Sequence, residues 1–373
     1  MFYINYNEFF GFFFYYFIFC TILFFSVLKF VNWINSKQLF IIVGTLFLFT
    51  AAFRGVGIDK DYATYQYSFS LVSSPIQYFI NYTDWSNFEP FYYIIPSILK
   101  FISFPFYEQS LFFIFAFVAI AAKFFGIYKL SRIDGLSLLV YFSFFFFLHE
   151  MTQIRVGIAA GGLLIATYFY YNNKFALFFL VLILSTFFQY TGILIGLILL
   201  LNKHRFNVVI NLSLLIASFL CILLKVNVIS ELLFVVKLPF TDKLMLTLKT
   251  LTKKENELNA FNIPLVLSFL ITIWLFLNHK KIIIQNQYGY LLLKIQVISF
   301  ICFGLFSSIA VIAFRLYEFF GIVSIITTTF LIYTTRYKLI GYFAVCLYSL
   351  LLMVNLLHIT KLVAPYKFIF FQD

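Results

Sequence analysis

Five apolar runs, each about 20 residues long, constrain this chain more than any other feature. They are Phe9–Leu28, Gln109–Leu130, Phe206–Leu224, Gly289–Val311 and Leu316–Tyr333. About 20 residues of helix cross the roughly 30 Å of hydrocarbon in a bilayer, so each run is long enough to span. Within lipid every backbone N–H and C=O must be bonded inside the protein, which leaves helices or closed barrels. The polar/apolar alternation of barrel strands is absent, and 63% of the residues are hydrophobic against 11% charged. The expected fold is all-α, a polytopic membrane protein of about 12 transmembrane segments with one re-entrant or interfacial element and a long outer loop. No short charged leader ends in a small-residue cleavage site, so the first helix is expected to be retained.

The 57 Phe and 26 Tyr are read as lipid-facing and packing residues rather than as an aromatic cage. Cys20, Cys221, Cys302 and Cys346 lie scattered within apolar runs, without metal or redox spacing. A net charge of +12 suits anionic lipid surfaces, and nothing supports nucleic-acid binding.

Short loops carrying Lys29/Lys37, Lys123/Lys129/Arg132, Lys174, Lys203/Arg205, Lys280/Lys281 and Arg336/Lys338 separate the apolar segments. Placing all of them in the cytoplasm satisfies the positive-inside rule. Two stretches must then depart from simple crossing. Glu89–Tyr107 carries Pro90, Pro96, Pro105 and Lys100 and is read as non-spanning. Phe175–Leu201 is read as two short tilted helices turning at Phe188–Gly192; the alternative is one long tilted helix. Arg54, Asp59, His149, Glu150, Arg155, Gln189 and Arg315 then share the outer side. The chain is expected to form one membrane domain, 1–373, with a first outer loop over 54–88. A longer outer loop covers 227–262, where Leu244, Leu248 and Leu251 alternate with lysines as an interfacial amphipathic helix would.

The segment Phe53–Tyr65, FRGVGIDKDYATY, sets Arg54, Asp59, Lys60 and Asp61 directly after an apolar run. Charges at a membrane boundary are costly unless paired or wetted, so such a cluster marks a functional site. Asp59 and Asp61 alone are too few ligands for a metal, and no metal site is expected. Arg155 and Arg315 lie beside apolar runs. Either they pair internally, Arg155 with Glu150 and Arg315 with Glu318, or they offer guanidiniums to an anion such as phosphate. Gly157, Gly161 and Gly162 equip the helix after Arg155 for close packing. Of the histidines only His149 falls near this group; His204 and His279 sit in basic loops.

The segments FRGVGIDKDYATY, NFEPFYYIIPSILKFI, MTQIRVGIAAGGLLIATYF, STFFQYTGILIGLILL and FRLYEFF, in that order, resemble the EpsG-like family. These are membrane proteins of exopolysaccharide and capsule synthesis, grouped with Wzy-type O-antigen polymerases. The resemblance is strongest at Arg54, Gly57, Asp59, Tyr62 and Tyr65, and at Ile154-Arg155 with Gly157 and Ala159. It departs at Phe188-Gln189, where the family commonly has Phe-His; glutamine cannot exchange a proton, though it can hydrogen-bond a substrate.

The resemblance implies a polysaccharide polymerase at the outer side of a bacterial cytoplasmic membrane. A sugar hydroxyl of one undecaprenyl-diphosphate-linked repeat unit would attack the anomeric carbon of the growing chain, and undecaprenyl diphosphate would leave. Arg54, Arg155 and Arg315 would bind the diphosphate, where preorganised guanidiniums stabilise developing charge. Tyr62, Tyr65 and Gln189 would contact substrate, and one of Asp59, His149 and Glu150 would be the base. Tyr side chains and Trp85 could stack on sugars or anchor the interface. No cofactor is expected. The partners are the lipid-linked oligosaccharides and membrane lipids, with a chain-length regulator and a flippase as associated proteins. A flippase or other transporter, a glycan ligase with the same donor, and a non-catalytic synthase component are the rival readings.

Overall fold

The computed structural model describes residues 6–72, 89–102, 106–224, 262–307 and 309–371, and its regular elements are helices. Trp85 and the amphipathic helix expected within 227–261 lie outside the described residues. The chain divides into two compact units, Met1–Leu199 with Thr335–Asp373, and Leu200–Thr334.

In the first unit α1 (Tyr6–Phe30) is followed by α2 (Ser36–Ala52), whose start is fixed by a reciprocal cap. Asn35 accepts from the Gln38 N–H at 2.9 Å and the Gln38 side chain accepts from the Asn35 N–H at 3.0 Å. Then come α3 (Tyr62–Leu71), α4 (Pro90–Phe101) and α5 (Tyr107–Leu130). Next, α6 (Asp134–Val140) runs on as a π-helix over Tyr141–Thr152, α7 covers Ile154–Tyr171, and α8 covers Phe175–Phe188. The continuous helix Asp134–Thr152 is the centre of this unit, since 94% of it is buried by protein.

Lipid offers helices little hydrophobic drive to associate, so close packing has to supply it, and small residues make that possible. On α7 a side chain at Gly161 would come within 2.7 Å of Ala122 on α5, and one at Gly162 would strike Ser185 on α8. The glycines after Arg155 therefore bring three helices together, as expected.

The turn expected within Phe175–Leu201 is present. Gln189 is extended (φ −155°, ψ 124°), and a 3₁₀ helix over Tyr190–Leu200 doubles back on α8. A side chain at Gly192 would sit 2.6 Å from the backbone at Ser185 and Thr186. Each arm is roughly 21–22 Å long, too short to cross a bilayer unaided. Helix α4 is likewise short, with Pro90 in its first turn and Pro96 inside, in keeping with a non-spanning element.

Among the described residues five helices are long and apolar enough to cross: Phe10–Phe30, Tyr107–Leu130, Asp134–Thr152, Ile154–Tyr171 and Lys338–Ile359. Counting two bent pairs as single spans gives up to seven. The expected figure of about 12 is reached only if the shorter apolar helices cross as well. One of the bent pairs corrects a sequence expectation. Leu316–Tyr333 is not one straight span, because Ala310–Gly321 and Ser324–Thr334 meet at 51°, at the helix-weakening Gly321.

The basic loops of the first unit gather at one end. Ser36 donates to Asp134 at 2.6 Å, Ser26 bonds Tyr342 at 2.8 Å, and Lys129 lies over the Tyr168 ring. Lys123 is the exception. Expected in a cytoplasmic loop with Lys129 and Arg132, it lies inside α5 and is fully buried. Its ion-pair partner comes from another helix, a tertiary contact that loop-charge counting ignores.

The second unit contains α9 (Val208–Leu223), α10 (Ile263–Leu277), α11 (His279–Gln285), α12 (Gly289–Leu305) and α13 (Ala310–Gly321). Helices α10 and α11 meet at 81°. Phe219 stacks on Phe269 at 4.3 Å, joining α9 to α10. The chain returns to the first unit through α14 (Lys338–Val354).

Candidate functional site

Helix α2 ends at Ala52, and the loop that follows is held by a distant part of the chain. The C-terminal segment 363–369 runs antiparallel to residues 53–59 in a single register. Ile369 N–H donates to Phe53 O at 3.1 Å, Gly55 N–H to Lys367 O at 2.8 Å, and Ala364 N–H to Ile58 O at 2.7 Å. Arg54 faces Phe368 and Asp59 faces Val363 in the same ladder. Pro365 has no N–H, and the chain at Gly57 turns through φ +83°, so the ladder is interrupted in its middle. Two tyrosines bolt the segment to the bundle: Tyr15 Oη donates to Ala364 O at 3.1 Å and Tyr366 Oη to Thr50 O at 3.0 Å.

Within this frame Arg54 is turned inward and is only 1% exposed. Its Nε donates to Asp59 Oδ2 at 2.9 Å and its Nη1 to the Ala51 carbonyl; Asp59 Oδ1 accepts from the Asp61 N–H at 3.0 Å. The guanidinium lies over the rings of Phe112 (4.4 Å) and Tyr62 (5.7 Å). A buried cation between aromatic faces gains about 2 kcal/mol from them. Tyr62 and Tyr65 face the same aromatic core, with Phe69, Tyr92, Phe112, Phe115 and Ile154. The motif residues thus join α3, α4, α5 and the start of α7.

Arg155 stands at that start, on the first turn of α7. Its Nη1 donates to Glu89 Oε2, and its guanidinium lies 4.5 Å over the Tyr92 ring. The Arg155 side chain is 30% exposed, unlike those of the other two ion pairs of the described residues, which are fully buried. Burial pushes the hydroxyls of Tyr65 and Tyr92 above the usual phenol range, and the nearby Arg155 opposes this only in part. Both remain neutral donors at ordinary pH. Phe188 packs against the same cluster through Phe91 and Phe115, which brings its neighbour Gln189 to this end of the unit.

Of the two readings of Arg155, internal pairing with Glu150 is not what the structure shows. Glu150 is fully buried and is paired with Lys123, whose Nζ also donates to Gly157 O at 2.7 Å. Residues 149–152 lie in the π-helix, and Gln153 (φ −90°, ψ 60°) breaks the path before Arg155, so Glu150 and Arg155 diverge. His149 is buried against Phe145, and neither ring nitrogen has a hydrogen-bond partner among the described residues. Of the three candidate bases, Asp59 lies among the motif residues, while His149 and Glu150 belong to the buried cluster around Lys123. Arg315 belongs to the second unit, exposed on α13, with Glu318 buried on the same helix.

Sequence reasoning missed Glu89, Tyr92, Lys123 and the C-terminal segment. Glu89 and Tyr92 lie within a quoted segment, and a buried lysine in an apolar helix is itself a signal. Nothing local marks residues 363–369 as partners of a loop some 300 positions earlier. Among the described residues no three His, Cys, Asp or Glu side chains gather as a metal would require.

Comparison with known proteins matches residues 37–368 to the EpsG family. No curated protein and no solved structure matches the chain. A match over most of the chain's length establishes membership. The chain belongs to the EpsG family, membrane proteins of polysaccharide biosynthesis.

Proposed function

We propose that this protein is a polysaccharide polymerase of the bacterial cytoplasmic membrane, acting at its outer face on undecaprenyl-diphosphate-linked repeat units. One observation carries the reading. In a unit whose other described ion pairs are buried, Arg155 stays partly open, braced by Glu89 and Tyr92 at the end where the motif residues Asp59, Tyr62, Tyr65 and Gln189 also gather. A guanidinium held this way offers bidentate donors to a diphosphate leaving group. In glycosyl transfer the bond from the anomeric carbon to the diphosphate oxygen breaks as the acceptor hydroxyl bonds to that carbon. The negative charge develops on the diphosphate, and Arg155 would stabilise it there. The hydroxyl proton passes to a carboxylate. Glu89, paired with the open Arg155, is the carboxylate placed to take it, whereas Asp59 is buried and held by Arg54, and His149 and Glu150 lie in the buried cluster around Lys123. Tyr92, buried beneath the guanidinium and bonded to Ser68, would hold Arg155 in place from below. Arg54, locked to Asp59, would shape the loop rather than touch the ligand.

The test is glycan analysis of a deletion strain on gels that resolve single lipid-linked repeats from polymer. Single repeats displayed on the outer surface without long chains are the expected result. Repeats retained on the inner face would instead make the protein a transporter and overturn the polymerase reading.

A further inference from the structure

The ladder between residues 53–59 and 363–369 has a different cavity at each end. At one end lies a cleft of about 420 Å³ lined by Phe12, Gly57–Lys60 and Lys361–Pro365. Lys60 and Lys361 are both exposed at its walls. The acidic side chain in its lining, Asp59, is turned away: its carboxylate is fully buried and occupied by Arg54 and the Asp61 N–H. The cleft therefore presents positive charge without a facing carboxylate. Lys361 adopts a left-handed backbone (φ 48°), which a non-glycine residue takes up only where its surroundings hold it there.

At the other end lies an apolar groove of about 710 Å³ lined by Phe53, Phe106, Gln109, Ser110, Phe113, Ile114, Ile369 and Phe370. Phe106, Phe113 and Phe370 are exposed there. The same two strands of chain line both sites. Asp59 and Val363 border the basic cleft, and Phe53 and Ile369 border the groove. Five to six residues of extended chain separate the two ends, at most about 20 Å. A basic cleft and a separate apolar groove at the two ends of one short ladder match a long-chain lipid carrying a phosphate at its head.

We propose that this ladder is a docking site for a polyprenyl phosphate or diphosphate, with the phosphate between Lys60 and Lys361 and the isoprenoid chain along Phe53, Phe113 and Phe370. The assignment to a polyprenyl lipid rests on the polymerase reading. A polymerase engages two lipid-linked substrates at once, so it needs a second phosphate site besides the one at Arg155. Lysine suits this role as a compact point charge for phosphate. The site needs the C-terminal segment, which supplies Lys361 and one wall of each cavity.

The experiment titrates the purified full-length protein, in phosphatidylcholine nanodiscs, with undecaprenyl phosphate. Inorganic pyrophosphate and phosphatidylglycerol serve as competitors. The expected result is saturable binding that weakens at least about tenfold, about 1.4 kcal/mol, in the double variant K60E/K361E. The same weakening is expected in Ser110→Trp, which fills the groove and leaves the charges in place. K60R/K361R should retain binding and shows that a variant's loss is not misfolding. Unchanged binding in K60E/K361E would overturn the proposal. So would equal displacement by phosphatidylglycerol, which would make the site an ordinary lipid contact. Pyrophosphate binding as tightly as the lipid, with Ser110→Trp without effect, would leave a free-phosphate site and remove the chain-binding half. Failure here is separable from failure of the polymerase reading. Normal binding losses in these variants, with polymer still made by the deletion strain, would keep the site and discard the polymerase.

Discussion

Two ion pairs flank the break at Gln153, and their surroundings are opposite. Lys123–Glu150 lies wholly inside the helix bundle, whereas Arg155–Glu89 has its arginine 30% exposed. Lys123 also reaches across the break, donating to Glu150 before it and to Gly157 O after it. The buried pair thus fixes where α7 begins, and the open pair sits on the first turn so fixed. Only the arginine of the second pair reaches solvent, while Glu89 is buried, so a ligand can approach the guanidinium from its open side. A buried pair is different. Its two desolvated charges contribute little net stability together, but removing one partner strands the other in a low dielectric. The comparison separates a pair that holds the fold from one that is free to exchange partners with a substrate.

The largest effect expected from breaking this contrast is on the buried side. Lys123→Met leaves Glu150 unpaired and should destabilise the protein by about 3–5 kcal/mol. Thermal unfolding of the protein in detergent reads this directly. The double variant K123M/E150M should recover most of the loss, because two apolar side chains of similar volume need no partner. A single variant as stable as the parent would show that Glu150 is hydrated or re-paired, and the contrast would collapse.

On the open side the larger effect should appear in activity. Arg155→Ala leaves the buried Glu89 without its partner and should destabilise the protein, though by less than the roughly 3–5 kcal/mol of a fully buried pair, because the arginine side is open to solvent. It should also cut polymer to below about a tenth of normal, as the loss of a donor to a developing anion does. Arg155→Lys should recover part of it, since lysine keeps the charge and loses the fork. Full-length polymer from Arg155→Ala in protein that reaches the membrane would remove Arg155 from the reaction.

Much of this architecture can be read from the chain before any coordinates. The apolar runs mark the helices, Pro90 and Pro96 mark the short α4, and Gln189 with Gly192 marks the hairpin, because each of these signals is local. The two ion pairs could not be read in the same way. Arg155 takes Glu89, 66 positions away, rather than the neighbouring Glu150. That choice depends on a π-helical segment, which widens the turn and redirects Glu150 toward α5, and no residue pattern within Tyr141–Thr152 announces it. Charge counting puts Lys123 in the loop because Lys129 and Arg132 follow it closely and it treats the three alike. The family resemblance singled out Arg54, Asp59, Tyr62, Tyr65 and Arg155, which do meet in one unit. It could not show that Arg54 faces inward and Arg155 outward.

A smaller effect is expected at Gln189, beside the open pair. Both Gln and His can donate and accept one hydrogen bond, so Gln189→His should alter polymer yield by about threefold at most if the position only touches substrate. Complete loss of polymer would mean that the site has been rebuilt around an amide. Polymer analysis of this variant beside Arg155→Ala ranks the two positions on one gel.

The smallest effect concerns the tyrosines next to Arg155. Burial raises the Tyr65 and Tyr92 hydroxyls above their unfolded value of about 10, so the folded state favours the protonated form more than the unfolded state does. A group whose folded pKa is raised contributes stability that is fully present below the unfolded pKa and is lost as pH rises above it. These two tyrosines should therefore leave the unfolding temperature flat from about pH 6 to 9 and lower it only above about pH 10. Tyr65→Phe, which removes one of the titrating hydroxyls, should make the alkaline limb shallower without moving the plateau. A fall already present near pH 8 and insensitive to Tyr65→Phe would place the titrating group elsewhere.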